Sequence, residues 1–310
     1  MSSQLPKLIV VVGPTATGKS ELAVKIARNF NGEIISADSR QVYKGIDIGT
    51  GKITKKEMQG IPHYLLDVAS PKRTFTVVQY KKLAEKAIKK IKKRNKIPIL
   101  CGGTGFYIQA IVDGITIPEV KPDWKLRKNL EKKSNKELFE MLKKLDATRA
   151  KKIDAKNPRR LVRAIEVFLK TKKPIRKIKK SQDYDVLMIG IKKEKDELKK
   201  LTDIRLKKWL KQGLITEIKK LKKSGLSWKK IENFGLEYFW IAKYLQNKII
   251  LKEAVEKSKK DIEKYAKRQM TWFKKDKRIK WIKNFKEAEN LTKKFLLKNS
   301  RRSPYKTASD

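Results

Sequence analysis

Leu8-Ile-Val-Val-Val12 followed by Gly13-Pro-Thr-Ala-Thr-Gly-Lys-Ser20 decides how this chain folds. Residues 8–12 form a short continuous apolar run rich in β-branched side chains, as a strand buried on both faces requires. The next eight residues satisfy G-x-x-x-x-G-K-[ST], and Leu22, Ala23, Ile26, Ala27 and Phe30 then recur at helical spacing. A strand, a glycine loop and a helix in that order build a phosphate cradle. Backbone N–H groups converge in the loop, the helix N-terminus adds positive potential, Lys19 brings a mobile cation, and the Ser20 hydroxyl suits Mg²⁺.

Three further stretches, residues 33–37, 97–101 and 186–191, read as buried strands alternating with helical patterns. That alternation predicts a parallel α/β sheet. No glycine occurs between Gly114 and Gly190, while Pro118, Pro122, Pro158 and Pro174 punctuate lysine-rich helical stretches such as residues 125–145. The sequence therefore predicts an α/β fold: a P-loop NTPase-like core with a parallel sheet (residues 1–117 and 184–300) and an all-helical insertion domain (118–183). Ile204, Leu206, Trp209, Leu210, Leu214, Ile218 and Leu221 mark one amphipathic helix with a lysine-rich opposite face, and more helices follow to about residue 298. Residues 301–310 lack periodicity and are expected to be a mobile tail.

Composition narrows the function. The 310 residues carry 80 Lys+Arg against 33 Asp+Glu, a net charge of +47, which points to a polyanionic partner such as nucleic acid. Scattered Lys-Lys pairs on solvated helix faces account for part of that excess. With 39% hydrophobic residues the chain is not disordered, and no apolar run approaches the roughly 20 residues needed to cross a bilayer. The N-terminus lacks a basic segment, apolar core and cleavage site, so the cytoplasm is expected. One cysteine, Cys101, and one histidine, His63, exclude a disulfide framework, a Cys/His zinc site and most Ser-His-Asp schemes. The chemistry falls to carboxylates, hydroxyls, lysines and arginines.

Behind the phosphate cradle come Ser36-Ala-Asp-Ser-Arg-Gln-Val-Tyr-Lys-Gly-Ile-Asp-Ile-Gly-Thr50, Ile61-Pro-His-Tyr-Leu-Leu-Asp67 and Cys101-Gly-Gly-Thr-Gly-Phe-Tyr-Ile108. Asp123-Trp-Lys-Leu-Arg127, Asn157-Pro-Arg-Arg-Leu-Val-Arg-Ala-Ile-Glu-Val167 and Tyr265-Ala-Lys-Arg-Gln-Met-Thr-Trp-Phe273 follow. In this order, over nearly the whole chain, these blocks resemble the tRNA dimethylallyltransferases, also called isopentenyl-tRNA transferases. The resemblance implies transfer of a dimethylallyl group from dimethylallyl diphosphate to the exocyclic amine of adenosine 37, beside the anticodon, in tRNAs reading codons that begin with U. It implies the tRNA anticodon stem-loop as partner; Mg²⁺ is the expected cofactor from the phosphate cradle and the diphosphate leaving group, and no membrane association and a monomer are expected.

The same resemblance assigns roles. Gly13, Pro14, Thr15, Ala16, Thr17, Gly18, Lys19 and Ser20 would line the diphosphate, joined by Arg205, with Ser20 on the metal and Lys19, Ser20 and Thr17 assisting catalysis. An adenine exocyclic amine is a poor nucleophile, so a general base helps by about 10²- to 10⁴-fold, and Asp38 is the candidate. Its alternatives are capping a helix or holding Mg²⁺ as a Walker B carboxylate. Asp38, Ser39, Arg40, Gln41 and Thr104 would surround the flipped adenosine, and Arg127, Arg159, Arg160 and Arg163 would run along the tRNA. His63 reads as a structural hydrogen bond, Cys101 as an inert core thiol, and Trp272 and Phe273 as core packing in preference to base stacking. The chain departs from the family at Leu201, where an arginine is usual, and at Gly235-Leu-Glu-Tyr238. Lacking the Cys/His finger of eukaryotic members, it resembles the bacterial form. Rival readings are an adenylate isopentenyltransferase acting on free nucleotide, a P-loop nucleotide kinase or ATPase, and a non-enzymatic basic RNA-binding protein.

Overall fold

The computed structural model describes residues 5–116, 118, 120–174 and 181–298. In chain order the elements are β1 (Lys7–Val12), α1 (Lys19–Asn29), β2 (Gly32–Ser36), α2 (Lys55–Met58), β3 (His63–Tyr64), α3 (Val77–Lys93), β4 (Ile97–Gly102) and α4 (Gly105–Val112). Four helices follow: α5 (Trp124–Leu130), α6 (Asn135–Leu145), α7 (Ala147–Ala150) and α8 (Pro158–Thr171). The chain then forms β5 (Asp185–Ile191), α9 (Lys195–Lys211), α10 (Leu214–Lys223), α11 (Trp228–Glu232), α12 (Leu236–Leu245), α13 (Leu251–Phe273), β6 (Ile279–Ile282) and α14 (Phe285–Leu297). There are two compact units, Met1–Gly114 with Gln182–Asp310, and Ile115–Ser181.

The first unit is built on one parallel sheet of order β3-β2-β4-β1-β5-β6. β1 lies inside it, with Val12 beside Gly102 of β4 and Gly190 of β5. Its side chains alternate between two cores. Leu8, Val10 and Val12 pack with Ile88, Ile91, Ile108 and Ile111, whereas Ile9 and Val11 pack with Leu22, Ala23, Ile26 and Ala288. Helices thus cover both faces, which is why β1 reads as an unbroken apolar run. At about 1.5–3 kcal/mol for each fully buried aliphatic side chain, an acidic residue at Val10 would disrupt the sheet. Carboxyl ends of β2, β4 and β1 lie side by side, so the loops leaving them converge on one edge, where α/β sheets hold ligands.

The second unit packs α5–α8 around Leu130, Leu138, Leu142, Leu161 and Ile165. Two of its helices start on strong local signals: Ser134 and Glu137 form a capping box at α6, and Asn157 caps α8 with Pro158 in the first turn.

Three sequence expectations need correction. The amphipathic run from Ile204 to Leu221 is two helices, because Gly213 adopts a left-handed conformation (φ 98°) that ends α9 and opens α10. Ile204, 63% exposed, lies off the buried stripe. Residues 125–145 are likewise interrupted, between α5 and α6. The edge strands β3 and β6 were not foreseen. The expected tail, 301–310, lies outside the described residues. Among the described residues no helix is long and apolar enough to cross a membrane.

Candidate active site

The loop leaving β1 wraps back on itself before entering α1. Ala16 (φ 64°) and Gly18 (φ 83°) take left-handed conformations, and the buried Thr17 hydroxyl donates to the Pro14 carbonyl at 2.9 Å. Lys19 Nζ donates to that same carbonyl. Burial pushes the Lys19 ammonium down to about 8; Cys101 and Asp38 oppose the shift and Arg205 adds to it. The Ser20 hydroxyl is exposed in the first turn of α1 and makes no hydrogen bond among the described residues.

Past β2 the chain turns at Asp38, whose Oδ1 accepts the backbone N–H groups of Arg40 (2.9 Å) and Gln41 (3.3 Å). Oδ2 receives no hydrogen bond from the described residues. Beyond β4, Thr104 Oγ1 accepts the Ser39 N–H at 3.0 Å, and the Thr104 N–H donates to the Ala37 carbonyl at 3.1 Å. These bonds tie the 38–41 turn to the N-terminus of α4. The Gln41 side chain faces inward, accepting from the Ser36 hydroxyl and donating to the Thr50 and Gly51 carbonyls.

Helices from the C-terminal half reach over these loops. Arg205 of α9 donates through Nη1 to Thr15 Oγ1 at 3.1 Å, with its guanidinium 4.5 Å from the centroid of the Trp209 ring. Burial lowers its pKa, while Glu237, Asp38 and Glu57 act in the opposite direction. No carboxylate among the described residues pairs with it. Gln269 of α13 accepts the Thr15 N–H through Oε1 (2.8 Å) and donates through Nε2 to the Gly103 carbonyl (2.9 Å), bracing the β1 loop against the β4 loop. Glu237 of α12, 1% exposed, pairs with Arg40 at 3.2 Å. Burial pushes its carboxyl up to about 7, against Arg40 and Arg205 and with Asp38. Glu217 of α10 accepts the backbone N–H groups of Asp47 (2.9 Å), Ile48 (2.7 Å) and Gly49 (3.4 Å), and the Tyr238 hydroxyl.

Residues 13–20, Asp38–Gln41, Thr104 and Arg205 are thus brought to one sheet edge. Sequence reasoning missed Glu217 and the bracing role of Gln269, and weighed Gly235-Leu-Glu-Tyr238 only as a departure from the family; the signal for each was a polar residue inside an apolar helical stripe. In the helical unit, Glu166 is fully buried. It accepts Arg127 Nε and Nη2 at 2.8 and 2.7 Å, Arg163 Nη1 and the Asp123 N–H, and Arg163 also donates to the Val120 carbonyl. Arg159 and Arg160 are exposed on α8. His63 Nδ1 bonds to the Ile61 carbonyl at 2.8 Å, and burial holds the Cys101 thiol at about 12. Phe273 is core, whereas Trp272 is 41% exposed, which corrects its reading as a core residue. α13 turns Phe273 inward and Trp272 toward the rim.

A family model described as IPP transferase matches residues 41–276. A tRNA dimethylallyltransferase of Thermoanaerobacter pseudethanolicus is 42% identical over 303 residues, covering 94% of this chain and 96% of the relative. The crystal structure of the full-length tRNA isopentenylpyrophosphate transferase of Bacillus halodurans superimposes with a TM-score of 0.72 at 34% identity, over 95% of this chain and 98% of that one. A eukaryotic dimethylallyltransferase captured acting on tRNA gives a TM-score of 0.77 at 27% identity, over 95% and 78%.

Proposed function

The chain belongs to the IPP transferase family, and on that premise we propose that it transfers a dimethylallyl group from dimethylallyl diphosphate to the exocyclic amine of adenosine 37 in tRNA. The observation that carries this reading is the convergence of a phosphate cradle, a carboxylate with one uncommitted oxygen, and the Thr104 hydroxyl at the carboxyl ends of three adjacent parallel strands.

The exocyclic nitrogen attacks the allylic carbon, the carbon–oxygen bond to diphosphate breaks, and its electron pair leaves with the diphosphate. Asp38 accepts the amine proton. Its Oδ1 is immobilised by two N–H groups, so Oδ2 presents a fixed acceptor at no reorganisation cost. Charge gathers on the departing diphosphate, where the loop N–H groups, Lys19 and Arg205 stabilise it. Lys19, held near 8 by burial, regains full charge when a polyanion arrives. Arg205, partly buried with no paired carboxylate among the described residues, gains the counter-charge it lacks.

Mg²⁺ fits the residues present. Among the described residues no group of three or more acidic, His or Cys side chains could hold a metal, but this ion binds through one or two protein oxygens plus phosphate oxygens. The exposed, uncommitted Ser20 hydroxyl suits that role, and the ion would neutralise leaving-group charge. Ser39, Arg40, Gln41 and Thr104 frame the target adenosine; Gln41 does so by holding the 46–51 loop. Arg159 and Arg160 contact tRNA phosphates, with Arg127 and Arg163 held in register beside them by Glu166. The helical insertion serves as a tRNA-binding domain and the enzyme works as a cytoplasmic monomer.

The test is a prenylation assay with Mg²⁺, dimethylallyl diphosphate and unmodified tRNA, run beside AMP and without ATP, with nucleosides read by mass spectrometry. Product on tRNA alone is expected, and Lys19→Ala and Asp38→Ala should abolish it while leaving the fold intact. Product on AMP, or on neither acceptor, would overturn the reading.

A further inference from the structure

At the rim of this site stands an aromatic surface that the reaction scheme leaves unused. Trp272, in the last turn of α13, packs its indole edge on the first residue of α4. A methyl group at Gly105 would overlap Nε1 and Cδ1 and lie 2.9 Å from Cε2, so only glycine lets the indole settle there. Trp272 is nonetheless 41% exposed, Phe106 beside Gly105 is 39% exposed, and the Trp272 Nε1–H makes no hydrogen bond among the described residues. Exposed cations lie near it in sequence, Lys267 and Arg268 in the last turns of α13 and Lys274 and Lys275 just past its end. The connection to the reacting centre is short and rigid. Gly105 follows Thr104, Thr104 Oγ1 accepts the Ser39 N–H, and Ser39 follows Asp38.

We propose that Trp272, packed on Gly105 next to the exposed Phe106, is a stacking shelf for the unpaired nucleobase next to the flipped adenosine. This rests on the tRNA reading above. A base drawn out of a single-stranded loop loses its stack with both neighbours, and those neighbours expose π-faces of their own. A flat indole pinned against a helix N-terminus replaces one lost stack, those lysines and arginine neutralise the flanking phosphates, and the free Nε1–H offers a donor to the base or its ribose. Aliphatic exposure would serve a protein partner equally well. An aromatic side chain with exposed cations close in sequence, packed on the Gly105 that follows Thr104 and its bond to the 38–41 turn, matches nucleic acid.

The test is a thermodynamic cycle. Affinities of wild type and Trp272→Ala are measured by fluorescence anisotropy for an anticodon stem-loop RNA and for two versions abasic at position 36 or 38. Trp272→Ala should weaken binding of the intact loop by about 5- to 150-fold, the range for losing one base–aromatic stack. Against one abasic loop the variant and wild type should bind alike. Trp272→Phe should recover part of the loss, and Gly105→Ala, which displaces the indole, should reproduce it. Thermal midpoints of all variants report the fold. Equal weakening on all three RNAs, or no weakening on the intact loop, would overturn the shelf. Prenylation of the intact loop by wild type, scored in parallel, separates this failure from failure of the transferase reading.

Discussion

Gly51→Ala tests the assignment of Arg205 without touching the arginine. Gly51 has φ +56°, and a Cβ there would overlap the Arg205 guanidinium and stand 3.1 Å from Cζ2 of Trp209. The Trp209 centroid lies 4.5 Å from Arg205 Cζ and the same Cβ crowds that ring, so the guanidinium has to shift, which loosens its bond to Thr15. Two effects of different size follow. Holding alanine in a left-handed conformation costs about 1–2 kcal/mol of stability, a fall of about 2–8 °C in Tm. Losing a charge-assisted hydrogen bond to a phosphate is worth about 1.5–3 kcal/mol, or about 10- to 150-fold in affinity. Isothermal titration with pyrophosphate and Mg²⁺ should therefore show at least tenfold weaker binding in Gly51→Ala, a similar loss in Arg205→Ala, and little further loss in the double variant. Wild-type affinity in Gly51→Ala, with Tm lowered as expected, would refute Arg205 as a phosphate ligand.

Other expectations follow from the same geometry. Because Lys19 titrates near 8 in the free protein and gains a polyanion on binding, pyrophosphate affinity should fall as pH rises through 8 and binding should take up a proton above it; calorimetry in buffers of different ionisation heat reads the uptake, and Lys19→Arg should remove it. Glu237 binds its proton up to about 7 when folded but only to about 4.5 when unfolded, so wild type should lose about 3 kcal/mol of stability relative to Glu237→Gln as pH rises from 4.5 through 7, with no further change above; parallel urea titrations giving a pH-independent difference would contradict this. Glu166→Ala leaves Arg127 and Arg163 without their buried carboxylate and should destabilise the helical unit by about 3–5 kcal/mol, seen as faster tryptic cleavage within residues 115–181 while pyrophosphate binding is retained. With a net charge of +47, the logarithm of tRNA affinity should fall with that of salt by about 0.7 per neutralised single-strand phosphate, and a flat response would rule out the electrostatic footprint.

Much of the fold was legible because the central strands carry their own signal. β1, β2, β4 and β5 are short, largely apolar runs, β-branched in part and closed by turns, and burial on both faces makes such runs continuous. β6 escaped because it is an edge strand whose Lys280 points to solvent between Ile279 and Trp281, so nothing in Ile-Lys-Trp-Ile stands out from the basic helices around it. Gly213 leaves no mark in the pattern because hydrophobic spacing continues across it while the helical backbone does not. In the site, the loop 13–20 and Asp38 announce themselves locally. Gln269 and Glu237 do not, since Thr15 lies 254 residues from the first and Arg40 lies 197 from the second. A single polar side chain in a helical stripe gives no hint of a partner that distant.

That separation also bears on how the site works. A glycine loop has many conformations, and a cradle that stabilises a leaving group must occupy one of them before the charge develops. The loop's own bonds, Thr17 and Lys19 onto Pro14, fix its curl but not its position relative to Asp38. Gln269 supplies the missing constraint by gripping Thr15 and Gly103 together, and Glu237 does the same for Arg40, whose N–H in turn holds Asp38. Glu217 fixes the third loop through three successive N–H groups. Each brace comes from a different helix of the C-terminal half, and the Tyr238 hydroxyl on Glu217 links the α10 brace to the α12 one. The basic C-terminal helices therefore cannot be only a nucleic-acid surface added to a finished catalytic core: their inward faces complete the geometry of loops whose sequences end more than a hundred residues earlier.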